Sequence, residues 1–171
     1  MRPADSSEFF RLPSPPGRSR ESTLRLDAEG RFWHDGARVE NVAMIAALHT
    51  WIGRHPDDGR YVLSNGYDWT YFAVDDAPYQ VRSLRLEPDR VTLVLSDGTE
   101  ETWEPESTRV GADGALYATV KRQARAGPFE AKFSRHAQAS LEPVLVEASG
   151  RPAAKIGGNV HAIGAKEGGF G

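Results

Sequence analysis

The chain has 171 residues and a mass of 18.8 kDa, and it carries a formal net charge of −3 at pH 7. That length suits one domain or two small halves, and the weak charge provides no global field for nucleic acid or a membrane surface. Because cysteine is absent, disulfides, thiolate catalysis and cysteine-based zinc sites are excluded. There is no apolar run of eighteen residues and no apolar signal-peptide core, so we expect a cytoplasmic protein without a membrane span. A cysteine-free periplasmic protein is the open alternative.

Residues 1–22 contain four of the eleven prolines and five serines. Since few apolar side chains there can offset the entropy cost of ordering, the segment is predicted to be a flexible arm. A proline-rich ligand for an SH3-type domain is the alternative. The last seven residues, 165–171, are also predicted to form a flexible tail.

Residues 23–79 are predicted to form an N-terminal α+β half. An alternating hairpin leads to an Asp35-Gly36 turn, and Asn41 is predicted to cap a helix over 41–53. One apolar stripe of that helix is expected to pack on the following strands. The stripe consists of Met44, Ile45, Leu48, Trp51 and Ile52. Two strands then follow, with Tyr61 and Leu63 alternating on the first of them.

Residues 80–164 are predicted to form a C-terminal half built as a meander. Its strands are predicted at 80–86, 91–95, 99–103, 116–121 and 129–133. Ser134 is a good cap for a second helix over 134–148, and Pro143 is expected to kink or split it. That helix is predicted to bury Leu141 and Leu145. A short hairpin around 157–159 completes the half.

The predicted fold class is α+β, with antiparallel sheets and two helices, because strands outnumber helices and short turns join them. Each half sets one helix against a sheet, which suggests duplicated halves. No repeat is visible in the residues themselves.

Four short motifs occur in order along the chain. They are 27–36 (DAEGRFWHDG), 58–63 (DGRYVL), 74–79 (VDDAPY) and 131–135 (AKFSR). Together they resemble the domain-of-unknown-function 1285 (DUF1285) family of bacterial proteins, over about residues 24–164.

The resemblance implies a duplicated core whose C-terminal half is similar to pleckstrin-homology-like folds. It also implies a ligand site, nucleotide-like in character, between the halves and a role in signalling, although no activity is established for the family. The chain departs from the family pattern at 21–25 and in the final strands, 153–156 and 160–163. If those strands line the cleft, the ligand here differs or is absent.

Six residues are candidates for binding a ligand: Trp33, His34, Asp76, Tyr79, Ser134 and Arg135. An indole beside an imidazole can stack on a planar ligand and hydrogen-bond it, whereas a surface strand with a core tryptophan is the structural alternative. Ser134 and Arg135 open a helix, where free amides and a guanidinium can bind an anion. An ordinary cap with a surface arginine is the structural alternative there.

Asp76 is expected either to fix the bend at Pro78 or to hold a ribose hydroxyl or Arg135. The sharpest prediction is that Trp33, Asp76 and Arg135 converge. An Asp76–Arg135 pair on the rim of a cleft would then be displaced by a phosphate-bearing ligand.

Charge is segregated in the C-terminal half. Residues 97–106 carry five acids and no base, and residues 118–135 carry five bases and one acid. The bases are Lys121, Arg122, Arg125, Lys132 and Arg135. They form either a phosphate-facing loop or a patch that simply faces the acidic one.

No nucleotide, hydrolase or metal-binding motif is present, and the five histidines lack metal-ligand spacing, so neither an enzyme nor a cofactor is predicted. The favoured function is a non-catalytic module that binds a small anionic ligand between two halves. The alternative is a protein-interaction adaptor that uses residues 121–125 and the N-terminal arm.

Overall fold

The structure is a computed structural model that describes residues 7–164. Within that range the chain forms two compact units. Unit 1 comprises the residues up to Pro78 together with Ala124–Gly127, and unit 2 comprises Tyr79–Gln123 and the chain from Pro128 onward. The sequence had placed residues 124–127 in the C-terminal half.

Unit 1 is built from short strands and one α-helix. In chain order these are β1 Arg25–Leu26, β2 Phe32–His34, β3 Ala37–Arg38, α1 Val42–Thr50, β4 Ile52–Arg54, β5 Tyr61–Ser64, β6 Trp69–Tyr71 and β7 Ala73–Val74. The strands form two sheets, of order β3-β2-β1-β7 and β4-β5-β6. All ladders are antiparallel except β1 with β7, which is parallel.

Helix α1 begins where the sequence predicts and ends earlier. Asn41 is the cap, because its Oδ1 accepts the amide N–H of Met44 at 2.9 Å. The helix stops at Thr50 because residues 52–54 pair with β5, with Ile52 opposite Leu63. Residues 52 and 53 of the predicted helix are therefore strand residues.

The stripe predicted for α1 is only partly buried. Leu48 is buried, with 4% of its surface exposed, whereas Ile45 and Trp51 are half-buried. Leu26 and Phe32 supply the centre of the core of unit 1, and the ring of Phe32 packs 4.8 Å from that of His49.

The segment predicted to be a flexible arm is packed on unit 1 from its first described residue. Residues Ser7–Arg11 form a 3-10 helix, and Phe9 is buried in a cluster with Val62 and Trp69. The adjacent aromatic side chains of Phe9 and Phe10 provide apolar surface that stabilises this packing. The prediction from the proline-rich composition did not take them into account.

Unit 2 has a longer sheet, a short helix and a final three-stranded sheet. Its elements are β8 Tyr79–Leu86, β9 Val91–Leu95, β10 Glu100–Thr102, β11 Arg109–Val110, β12 Leu116–Val120, β13 Phe129–Phe133, α2 Arg135–Ser140, β14 Leu145–Ala148, β15 Arg151–Ile156 and β16 Asn159–Ala162. The sheets have the orders β10-β9-β8-β13-β12-β11 and β14-β15-β16. Again one ladder is parallel, β8 with β13.

The second predicted helix is wrong in its C-terminal half. Helix α2 has six residues and is followed by a 3-10 turn, Glu142–Val144, and then by β14. Pro143 lacks an N–H group and ends the helix, and the residues after it pair with β15 instead. Leu141 is fully buried as predicted, but Leu145 is 39% exposed in its strand.

The α+β class with mostly antiparallel sheets is confirmed, and α1 and α2 are the two α-helices of residues 7–164. The two parallel ladders were not predicted. Duplicated halves and a pleckstrin-homology-like C-terminal half stay predictions. Across residues 7–164, neither helix has the length and apolar character needed to cross a membrane.

Candidate functional site

The motif at residues 27–36 is organised around the buried carboxylate of Asp27. Four donors reach it: the amide N–H groups of Glu29 (3.0 Å) and Arg31 (2.9 Å), Nε of Arg31 (3.0 Å) and the indole N–H of Trp33 (2.8 Å). Gly30, at φ 83°, lets the chain turn around the carboxylate. Burial raises the pKa of Asp27, but the hydrogen bonds from Trp33 and Arg31 outweigh it and hold the pKa below its usual value.

Trp33 and His34 are placed on opposite faces of β2. Trp33 is half-buried, with its N–H engaged by Asp27 and the guanidinium carbon of Arg25 lying 5.5 Å from its ring centroid. His34 is exposed, and its Nε2 lies 3.5 Å from the carboxylate of Asp35. The two rings therefore do not form one stacking surface.

The acidic pair after β7 has two different surroundings. Asp75 forms an ion pair with Arg25, and its amide N–H donates to the carbonyl of Leu26 at 2.9 Å. Asp76 is half-buried beside the buried Ala77. Trp33 and Asp76 belong to unit 1 and Arg135 to unit 2, so their convergence stays a prediction.

The other predicted site residues lie in unit 2. Tyr79 is buried, with 4% of its surface exposed, and its ring meets that of Phe129 edge to face at 5.3 Å. Ser134 caps α2 as predicted, since its Oγ accepts the amide N–H of Ala137 at 3.1 Å. Arg135 is exposed at the start of α2, but a helix of six residues is too short to supply an anion site by its dipole alone.

Parts of the acidic and basic segments that lie in unit 2 pair with each other, as one of the alternatives predicts. Lys121 Nζ lies 2.6 Å from Asp97 Oδ2, and only 17% and 8% of the two side chains are exposed. Burial raises the pKa of Asp97, but the hydrogen bonds from Lys121 and Thr99 outweigh it and lower the pKa. Arg122 Nη2 lies 3.5 Å from Glu104.

A hollow in unit 1 of about 490 Å³ lies outside every sequence-predicted site. Its walls come from the N-terminal segment, the end of α1, strands β4 and β5, the turn after β5, and the inserted residues 124–127. They are Phe10, Thr50, Trp51, Ile52, Gly53, Val62, Ser64, Asn65, Gly66, Arg125 and Ala126. Gly53 and Val62 face each other across the β4–β5 ladder, and the missing side chain of Gly53 leaves space there.

Arg125 is the cation of this hollow. Its side chain is exposed, and it has neither an ion-pair partner nor a hydrogen-bond partner within residues 7–164. The backbone beside it is held, because Nη1 of Arg54 donates to the carbonyl of Ala126 at 3.1 Å and Gly127 closes a turn onto Ala124. A fixed backbone therefore presents a guanidinium whose donors are free to bind an anion.

Asn65 adds a second polar group to the wall. Its Oδ1 accepts the amide N–H groups of Tyr67 and Asp68, each at 2.9 Å. This fixes the side chain and leaves its NH2 group without a partner in the part of the chain that the structure describes. A carboxylate or phosphate oxygen is the complementary ligand group.

Two further hollows in unit 1 have their charged side chains already paired. One, of about 440 Å³, is lined by Arg60, whose guanidinium donates twice to the carboxylate of Glu21 at 2.8 Å. The other, of about 190 Å³, is largely apolar, and its Asp68 pairs with Arg20. Neither offers an unpaired charge to a ligand.

Sequence reasoning missed the residues that build the hollow. Phe10 lay in the segment predicted to be flexible, and Arg125 was counted only as part of a charge cluster. Two features of the sequence could have indicated them. One is the pair of adjacent aromatic residues at 9–10, and the other is a single arginine, Arg125, among residues with short side chains at 124–127. In residues 7–164 no group of three potential metal ligands occurs.

Comparison with known proteins places the fold. Neither a family model nor a curated protein matches the sequence. A DUF1285 family protein from Silicibacter pomeroyi aligns with a TM-score of 0.65 and 17% identity, over 93% of this chain and 94% of that one. A second, from Shewanella baltica, aligns with a TM-score of 0.52 and 18% identity, over 68% and 87%.

The chain therefore has an α+β fold, and specifically the fold of these two DUF1285 proteins. The resemblance drawn from the four motifs is confirmed at the level of the fold. Identities of 17% and 18% carry no activity or ligand from those proteins to this one.

Proposed function

We propose that this chain is a divergent DUF1285 protein and a non-catalytic binding module, which holds a small anionic, nucleotide-like ligand in the hollow of unit 1 in a sensing role. One observation carries the proposal: Arg125 lines the hollow with no partner in residues 7–164. Lys121 and Arg122, close to it in sequence, are instead paired with acids.

The walls suit a ligand with an apolar, planar body and one anionic group. Phe10, Trp51 and Ile52 supply apolar surface, and the volume of about 490 Å³ lies within the usual range for small-molecule sites. Arg125 can donate two parallel hydrogen bonds to a phosphate or carboxylate. Because Arg125 is exposed, salt should weaken the binding.

The lining also supports a binding role over a catalytic one. Its described side chains include no carboxylate, histidine or lysine that could act as a general base. The hydroxyl of Thr50 donates to the carbonyl of Ala47 at 2.7 Å. The hydroxyl oxygen of Ser64 accepts a hydrogen bond from the amide N–H of Gly66 at 3.3 Å. Neither hydroxyl has an adjacent base to activate it.

Thermal-shift screening against purine and pyrimidine nucleotides, inorganic phosphate and dicarboxylates tests the proposal. A ligand at a hundredfold excess over Kd should raise the free energy of unfolding by about 2.7 kcal/mol. The shift should disappear in Arg125→Ala and persist in Arg122→Ala, which removes the same charge from a paired arginine. If no compound shifts the wild-type protein, the proposal fails.

A third variant separates this site from the one predicted from sequence. If Arg135→Ala abolishes the shift while Arg125→Ala retains it, the ligand uses the predicted set that includes Arg135, and the hollow is not the site. Loss in Arg125→Ala alone supports the hollow.

A further inference from the structure

Residues 7–13, the N-terminal segment, pack on the face of the β4-β5-β6 sheet that carries Val62 and Trp69, as a bound peptide would. Phe9 is buried against Val62 and Trp69. The ring centroid of Phe10 lies 5.9 Å from that of His55 and 5.7 Å from that of Trp69. Two consecutive aromatic side chains thus fill an aromatic surface on the body of unit 1.

The body also holds the main chain of this segment. Nε2 of His55 lies 3.1 Å from the carbonyl oxygen of Phe10, and Nη2 of Arg20 donates to the carbonyls of Leu12 and Pro13 at 3.3 and 3.2 Å. Nδ1 of His55 accepts the amide N–H of Asp57, so Nε2 carries the proton that is donated. Contacts to carbonyl groups do not depend on side-chain identity, so the same groups can hold another chain of the same backbone conformation.

Arg20, which contacts the main chain of the segment, is held in place by other interactions. Arg20 pairs with Asp68 and donates to the carbonyl of Trp69 at 2.9 Å, and its own carbonyl accepts the amide N–H of Tyr71 at 2.7 Å. The surface would therefore keep its donors in place when the segment leaves.

An acidic group at the end of the surface pairs with an arginine of the segment. Arg11 donates from Nε and Nη2 to the carboxylate of Asp57, at 3.1 and 2.7 Å, and both side chains remain about half exposed. A tight turn, in which the amide N–H of Arg18 donates to the carbonyl of Pro15 at 3.0 Å, folds the segment back. Its third residue, Gly17, has φ 76°, as a type II turn requires.

We infer that the face of the β4-β5-β6 sheet that carries Val62 and Trp69 is a peptide-binding surface, with residues 7–13 as its resident occupant. Its exchange partner is a segment of another protein that carries two adjacent aromatic side chains followed by arginine and adopts the same 3-10 turn. The inference does not depend on a ligand in the hollow. It uses a different set of donors, although Phe10 contributes to both surfaces.

Titration of a fluorescent peptide with the sequence of residues 7–13, SEFFRLP, into the full-length chain tests this by anisotropy. In the wild-type protein the tethered segment competes at high effective concentration, so binding should be weak. Phe10→Ala in the protein weakens the resident segment and should tighten peptide binding by about tenfold or more. Leu12→Ala, a change at an exposed residue of the same segment, should leave it unchanged.

The peptide SEFARLP, which lacks the second aromatic ring, should not bind the Phe10→Ala protein. If that protein does not fold, Arg11→Ala weakens the segment through an exposed pair and serves in its place. Equal binding of both peptides, or no binding of SEFFRLP to either weakened variant, overturns the inference. A wild-type dimer that the peptide dissociates would identify a second copy as the occupant and overturn the assignment to another protein.

Discussion

At the scale of single residues, Asp27 determines the conformation of the loop between β1 and β2. Its carboxylate gathers two backbone and two side-chain donors while only 8% of the side chain is exposed. The four donors replace the water that the carboxylate loses on burial, and charge-assisted hydrogen bonds of this kind stabilise a buried charge. The Asp-x-x-Gly-Arg-x-Trp pattern is thus explained by local structure, and Trp33 is engaged without any ligand.

Replacing Asp27 with Asn should lower the free energy of unfolding by about 1.5–3 kcal/mol at pH 7, because charge-assisted hydrogen bonds are lost. The folded-state pKa of Asp27 lies below its unfolded value, so its stabilisation is present above the unfolded pKa. It is lost as pH falls through the folded pKa. The difference between wild type and variant should therefore shrink below about pH 4.

Urea unfolding at neutral and acidic pH measures this difference. Asp89→Asn is the matched control, because Asp89 is exposed and its carboxylate has no ion pair or hydrogen bond within residues 7–164. A constant difference across the pH range would show that the charge of Asp27 does not contribute.

At the scale of elements, α1 contains no aspartate, glutamate, lysine or arginine. Leu48 faces the core, and Val42, at the opposite extreme, is 81% exposed. Apolar residues around the whole helix blur its amphipathic pattern, which explains why the predicted stripe identified Leu48 correctly and overstated the burial of Ile45 and Trp51.

Truncating Leu48 to Ala should lower the free energy of unfolding by about 2–5 kcal/mol, because it removes buried methyl groups and leaves a cavity. Val42→Ala on the same helix should change it by no more than about 0.5 kcal/mol. Thermal or urea unfolding of the two variants distinguishes the positions. If Leu48→Ala melts as the wild type does, the packing of α1 described here is wrong.

Local sequence signals identified most strands of unit 2 and the caps Asn41 and Ser134, because turn residues and alternation act over a few positions. They failed where distant pairing decided the outcome. The local sequence after Pro143 favours a helix, yet Leu145 lies in a strand because that strand, β14, pairs with β15. Likewise, pairing with β5 ends α1 before Ile52.

At the scale of the whole molecule, unit 1 gathers chain segments that are far apart in sequence. Arg54 and Ala126 are hydrogen-bonded although 72 positions separate them, and Arg11 reaches Asp57 across 46. Such contacts leave no periodic or local trace in a single sequence. The hollow is lined by segments that are far apart in sequence, so it could not have been predicted. Trp33 and Arg135 were chosen as candidates because the chemistry of their side chains is evident from the sequence alone.

The anionic ligand class predicted from the sequence stays a proposal, and the hollow of unit 1 is the location that we propose for it. There a guanidinium beside a held turn, that of Arg125, lines a hollow whose walls are partly apolar. Substitution of Gly53, which lines the hollow, can place a side chain directly inside it. A Cβ atom built there would meet only the side chain of Val62, at 3.8 Å, so a larger residue can enter the space without a clash at its base.

Calorimetric titration of Gly53→Leu with the nucleotide that gives the largest thermal shift tests the central claim most directly. A leucine side chain should occupy the hollow and weaken binding by about tenfold or more, equivalent to about 1.4 kcal/mol. Ala43→Leu adds the same side chain at an exposed position of α1 and should bind as the wild type does. A folded Gly53→Leu protein with wild-type affinity would show that the ligand binds elsewhere.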